Sequence, residues 1–173
     1  MSNIKQIILP NLENNKNKKT TNKRKIVNTE LWETNIENID QFELIKNLKT
    51  DKELNNAEKL VQKNIITKIQ GYKNQDIKKK IYNEELFIDN DYVVKLLCES
   101  NLLCNYCKET TYLLYENVKQ SNQWSLDRLD NKIGHNIGNV VISCLDCNIK
   151  RKTMHFKRFE FTKQLQIIKN EEV

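Results

Sequence analysis

The chain has 173 residues, a net charge of +6 and 38% hydrophobic residues, enough for one ordinary domain with a modest core. Three glycines and one proline fall far below average usage, which disfavours a turn-rich β-sandwich and favours long helices. No run approaches the roughly 18 apolar residues of a membrane span, and the opening "MSNIKQIILP" has no secretory core, so a non-secreted, intracellular protein without a membrane partner is expected.

Residues 1–35 carry seven Lys and Arg against three acids. The stretch "NLENNKNKKTTNKRK" has no hydrophobic period and reads as a disordered basic tail. Residues 36–97 read as a helical region. "TDKE" at 50–53 has the form of a capping box, followed by Ala57, Leu60, Val61, Ile65 and Ile69 at helical spacing, with Gly71 placed to end that helix. A second helix carries Ile77 and Ile81, and a third starts near Asp89–Asp91 with Val93, Leu96 and Leu97 facing inward. After Asn101 the pattern turns short and aromatic: "YLLYENV" (112–118), "NQWSLDRL" (122–129) and "NVVISC" (139–144) read as strands. Helical character returns from Asp146, and Phe161, Leu165 and Ile168 mark a C-terminal helix over 157–173. The fold class is α+β.

Four of the five cysteines stand as Cys104-x-x-Cys107 and Cys144-x-x-Cys147, two knuckles 36 residues apart. In a reducing compartment this spacing points to a metal rather than to disulfides. Four thiolates make a closed tetrahedral shell, the form of a structural zinc site. Cys98 lies on the apolar helix and reads as a small core residue.

At "LDRLDNKIGHNIGNVVISCLDCNIKRK" the chain resembles the HNH, or ββα-metal, endonucleases, in the variety with an LDR-x-DN…GH…N…C-x-x-CN-x-x-K pattern. The resemblance covers roughly residues 98–156. It implies a zinc-braced nuclease module behind the helical region, DNA as partner, and a catalytic Mg²⁺ or Mn²⁺. Carried over residue by residue, Asp127 is a ligand of that cation, Asn148 is the helix-borne ligand, and Asn139 braces the loop between them. A hard cation prefers such oxygen ligands, and a helix starting near Asn148 would aim backbone N–H groups at a phosphate. Lys150, Arg151 and Lys152 add positive charge beside it.

One position departs from the pattern. The family commonly has Asp-His where this chain has Asp127-Arg128, and an arginine is no base near neutral pH. Arg128 then reads as a phosphate clamp. His135 in the Gly134–Gly138 loop is the preferred replacement base; Asp130 or a metal-bound hydroxide is another, and a catalytically dead site a third. Strict strand alternation puts Asp127 and Arg128 on opposite faces, so a shared site requires a bulge or turn there. The functional expectation is a divalent-metal-dependent endonuclease hydrolysing DNA phosphodiesters. Its rivals are a catalytically inactive zinc-braced nucleic-acid-binding protein and a zinc-stabilised protein-interaction module.

Overall fold

A computed structural model of the chain describes residues 39–50 and 52–165. The basic segment 1–35 and Ile168 lie outside them. The described fold is α+β: five helices and one two-stranded antiparallel sheet. Among the described residues no helix is long and apolar enough to cross a membrane.

Helix α1 (Gln41–Asn47) is capped by Asp40, whose carboxylate accepts from the Phe42 and Glu43 N–H groups. Helix α2 runs unbroken from Asn56 to Lys78. Its capping box is Asn55 with Glu58, five residues later than "TDKE" suggests. Thr50 belongs instead to the turn that follows α1, bonding to the Asn47 carbonyl. Glu58 also accepts from the Asn47 amide at 2.8 Å, so one side chain closes the α1–α2 corner and starts the long helix.

Gly71 does not end α2, and no separate helix carries Ile77 and Ile81. The helix passes through Gly71 because residues on both sides of it are anchored: Ile65 and Ile69 in the core, Tyr72 and Asp76 on the strand-bearing half of the molecule. The stop comes at Lys80, with φ of 59°. The Ile81 N–H bonds to the Asp76 carbonyl and the Lys80 N–H to the Ile77 carbonyl, a Schellman closure without glycine. Helix α3 (Asn90–Glu99), capped by Asp89, buries Val93, Val94 and Leu97.

The strands are β1 (Trp124–Arg128) and β2 (Val140–Cys144), paired from Trp124↔Cys144 to Arg128↔Val140 with no residue skipped. Helix α4 (Leu145–Arg151) follows β2 directly, and α5 (Phe156–Gln164) comes next. "YLLYENV" is not a strand. It pairs with Gln123 only through the single Tyr112 bridge, and the next two residues, Leu113 and Leu114, are both buried. Their N–H groups go to the Gln41 Oε1 of α1, at 2.7 and 2.9 Å. A buried side chain therefore does what a ladder would have done. In α5 the inward residue is Phe159; Phe161 is 67% exposed and Leu165, at the helix end, is also exposed.

Two cores result. The larger joins α1, α2 and α3 to the sheet through Ile45, Val61, Ile65, Leu97, Trp124 and Leu126. The smaller gathers Cys104, Tyr106, Cys144, Cys147 and Phe159. Cys98 packs half-buried against the larger one, its thiol facing the Ile45 carbonyl.

Candidate functional site

The four knuckle cysteines converge. Their sulfurs all lie within 4.8 Å of one another, and Cys107 and Cys144 are 3.9 Å apart. Four sulfurs about 2.3 Å from one ion sit about 3.8 Å from each other in a tetrahedron, so the set can hold a structural metal ion. Local structure explains the convergence. Cys104 and Cys107 bend around a turn closed by the Lys108 N–H on the Cys104 carbonyl, and the Asn105 N–H ties that turn to the Ile142 carbonyl of β2. Cys144 caps α4, and its sulfur accepts the Cys147 N–H. Hydrogen bonding, first from the Cys144 thiol, pulls the Cys104 pKa down to about 4, while burial pushes Cys147 up to about 12. One thiolate is favoured and further ones are resisted, which is the state that a bound cation relieves.

The second feature is a cleft of about 560 Å³ between α2 and α4, running along the outer edge of β1. The polar backbone of that edge is taken up by side chains. The Lys68 ammonium donates to the Trp124 carbonyl, the Leu126 N–H to the Tyr72 hydroxyl, the Asn148 amide to the Leu126 carbonyl, and Arg151 to the Arg128 carbonyl. The edge is closed to another strand, and what faces the cleft is side-chain chemistry.

Arg128 and Asp127 do not share a face. With the β1–β2 register unbroken, no bulge turns them to one side. Asp127 is buried, and its carboxylate accepts from Arg151 through both Nε and Nη2 and from the Tyr106 hydroxyl at 2.6 Å. Both oxygens are engaged. In this arrangement the Asp127 carboxylate, expected as ligand of a catalytic cation, is the buried partner of Arg151 and a tie to the cysteine knuckle through Tyr106. Arg151 is engaged with it. Its guanidinium is buried and is spent on Asp127, Arg128, Asn131 and Met154, so it is no phosphate contact. Lys150 pairs with Asp146 at 2.8 Å on the outer face of α4 and does not line the cleft; Lys152 does.

Asn148 sits in the middle of α4, whose first N–H groups go to the Gln123 and Ser121 carbonyls and to the Cys144 sulfur. The helix begins three residues earlier than the expected phosphate-facing start, at Leu145 rather than Asn148. The Asn148 amide nitrogen donates to Ser125 Oγ and the Leu126 carbonyl, and the residue lines the cleft. Asn139 is buried and braces the loop: its oxygen accepts the Asp130 N–H, and its amide donates to the Asp130 and Gly134 carbonyls at 3.0 and 2.9 Å. Arg128 lines the cleft with its head group drawn toward the Asn131 and Ile133 carbonyls and 3.9 Å from Asp76.

His135 is buried in the cleft wall. Its Nδ1 lies 2.9 Å from Asp76 Oδ1, its backbone N–H donates to Asp76 Oδ2 at 2.6 Å, and its ring stacks on Tyr72 at 4.4 Å. Nε2 makes no hydrogen bond to any described residue. Burial lowers the His135 pKa, and the Asp76 carboxylate opposes that. Asp76, Lys68 and Tyr72 all come from α2 and were not legible as site residues. Asp76 is 59 positions from His135, in a helix otherwise rich in lysine, and no local pattern announces such a pairing.

The cleft is cationic. Lys68, Lys79, Arg128 and Lys152 line it, while the carboxylates of Asp76 and Asp127 are held by His135 and Arg151. Burial lowers the Lys68 pKa to about 7. A Mg²⁺ or Mn²⁺ ion does not fit this donor set. Such ions are usually held by one or two carboxylates, and the carboxylate that lines the cleft, Asp127, is already engaged by Arg151 and Tyr106, beside amide and hydroxyl oxygens and cationic side chains. An anion is the complementary ligand.

No protein-family model, curated protein or solved structure matches the chain.

Proposed function

We propose that the protein is an HNH-type endonuclease that binds DNA across this cleft and hydrolyses its phosphodiester bonds, with zinc in the four-cysteine site as a structural brace. The observation that carries the reading is the placement of His135. Its Nδ1 is held by a buried carboxylate, and it stands in a cleft lined by Lys68, Lys79, Arg128 and Lys152. General bases need that poise, and phosphate needs that charge. Water attacks phosphorus and gives its proton to His135 Nε2. The P–O3′ bond breaks, leaving a 5′-phosphate and a 3′-hydroxyl that takes its proton from solvent. Lys68, Lys79, Arg128 and Lys152 hold the phosphate oxygens, and Asn148 fixes the reacting group against the edge of β1. No step is routed through a catalytic metal, because the Asp127 carboxylate that lines the cleft is engaged by Arg151 and Tyr106.

A second reading, DNA binding without cleavage, is favoured by the Asp127–Arg151 pair, which withdraws the acidic group that the HNH resemblance assigns to catalysis. One experiment separates the two. Zinc-loaded protein is mixed with supercoiled plasmid in Mg²⁺, in Mn²⁺ and in EDTA, beside Asn148→Ala. Nicking by the native chain in at least one condition, lost in the variant while DNA binding persists, supports the enzyme. Intact plasmid in all three, with DNA still bound, leaves the binding module.

A further inference from the structure

We propose that Asp76 of helix α2 is the positioning residue for His135, fixing the proton on Nδ1 so that the unprotonated Nε2 faces the cleft. The inference rests on the enzyme reading above and assigns the base its orienting partner. Three observations carry it. Asp76 is fully buried and addresses His135 twice, Oδ1 to the ring and Oδ2 to the backbone N–H. A carboxylate can only accept, so the ring nitrogen facing it must be the one that carries hydrogen. The ring cannot rotate away, because Tyr72 stacks on it and Tyr72 is itself anchored to the Leu126 N–H.

The approach also requires a residue with no side chain. A Cβ at Gly134 would stand 2.7 Å from the Ile81 carbonyl oxygen and 2.8 Å from Asp76 Oδ2, so glycine is what allows the loop to close on the carboxylate. The charged and titratable groups facing the pair are Arg128 from β1 and Lys79 and Tyr72 from α2.

The consequence is that α2 is part of the reaction centre: the segment ahead of the cysteine knuckles supplies the group that sets which nitrogen accepts the proton. The same logic separates an amide from a carboxylate at this position. Asparagine would present an N–H to the ring, favour hydrogen on Nε2, and leave the cleft facing a donor where a base is needed.

The test uses the full chain with zinc bound. The chain has two histidines, so long-range ¹H–¹⁵N spectra, assigned with His155→Gln, report the His135 tautomer directly. The native protein is expected to carry hydrogen on Nδ1, and Asp76→Asn to move it to Nε2. Plasmid nicking by Asp76→Asn should fall by roughly a hundred-fold or more with DNA affinity unchanged, and Asp76→Glu should regain part of the rate, which also covers the case in which the asparagine variant does not fold. A native ring with hydrogen on Nε2, or full-rate nicking by Asp76→Asn, overturns the proposal while leaving the nuclease reading in place. Plasmid left intact by the native chain overturns both, even with the expected tautomer in the spectrum.

Discussion

At the scale of single residues, the buried charges divide into those that hold the structure and those that face the cleft. Asp127 and Arg151 belong to the first group. Removing one member of a buried, hydrogen-bonded pair strands the other, at a cost of about 3–5 kcal/mol. Asp127→Asn is therefore expected to lower the unfolding free energy by an amount of that order, read from chemical denaturation. A fully stable variant would show that the carboxylate is held in place for something other than Arg151. Lys68 belongs to the second group. Its ammonium is buried over the Trp124 ring at 4.4 Å, and burial takes its pKa to about 7 from 10.5.

Between those two values the unfolded chain binds more protons than the folded one, so stability rises with pH across the window. The cost of keeping lysine there is greatest below pH 7 and fades toward pH 10. Lys68→Met should accordingly raise the melting temperature more at pH 6 than at pH 9, while weakening DNA binding. Equal shifts at both pH values would mean that the Trp124 ring and the backbone carbonyl fully replace the lost hydration. A stabilising substitution that costs binding is what a ligand-facing cation in a desolvated wall implies.

At the scale of elements, α2 is both core and cleft wall, and its glycine shows the division. Gly71 lies in the helix interior and lines the cleft, and a Cβ there meets nothing within 4 Å. Gly71→Ala should stabilise the helix by about 1 kcal/mol, measured by denaturation. Gly134→Ala should do the opposite, by about 1–3 kcal/mol, because its new methyl group collides with the Ile81 carbonyl and Asp76.

What the sequence reveals at this scale follows the range of the interactions. Patterns that act within a few residues were readable: the C-x-x-C knuckles, the strand around Trp124, the strand ahead of Cys144, and the start of α3 at Asp89. Features settled by distant partners were not. The aromatic run 112–118 looks like a strand until Gln41, about seventy positions earlier, takes its backbone N–H groups. The α2 capping box was misplaced because both "TDKE" and "NNAE" have its form, and only Glu58 also reaches Asn47. Phe161 marks a helix in the sequence, yet Tyr106, packed edge-on at 5.0 Å, selects Phe159 as the inward residue of α5.

At the scale of the molecule, two devices hold the cleft open between α2 and α4. One is the larger hydrophobic core behind β1; the other is the cysteine cluster, joined to β1 through the Tyr106–Asp127 hydrogen bond. Structural zinc is worth on the order of 10 kcal/mol in isolated fingers, and the smaller core here has few other members. Metal analysis should give one zinc per chain, and chelation should lower the melting temperature sharply and abolish DNA binding, since β1 and α4 carry cleft residues. Protein that is metal-free and equally stable would remove zinc from its structural role. Lys79, Arg128 and Lys152, with a partly protonated Lys68, also set the salt response near neutral pH: log K for DNA should fall with log salt at a slope of about −3, with the 1–35 segment able only to steepen it.

The reading of the whole molecule as a nuclease turns most directly on strand cleavage by the native chain compared with His135→Ala. Zinc-loaded protein and variant are incubated with supercoiled plasmid, with and without divalent cation, and the nicked form is followed in time beside DNA affinity. Nicking by the native chain that disappears in His135→Ala, at equal affinity, is the expected result. Equal nicking by both would take the role of base away from His135, and no nicking by either would reduce the cleft to a place where DNA is held.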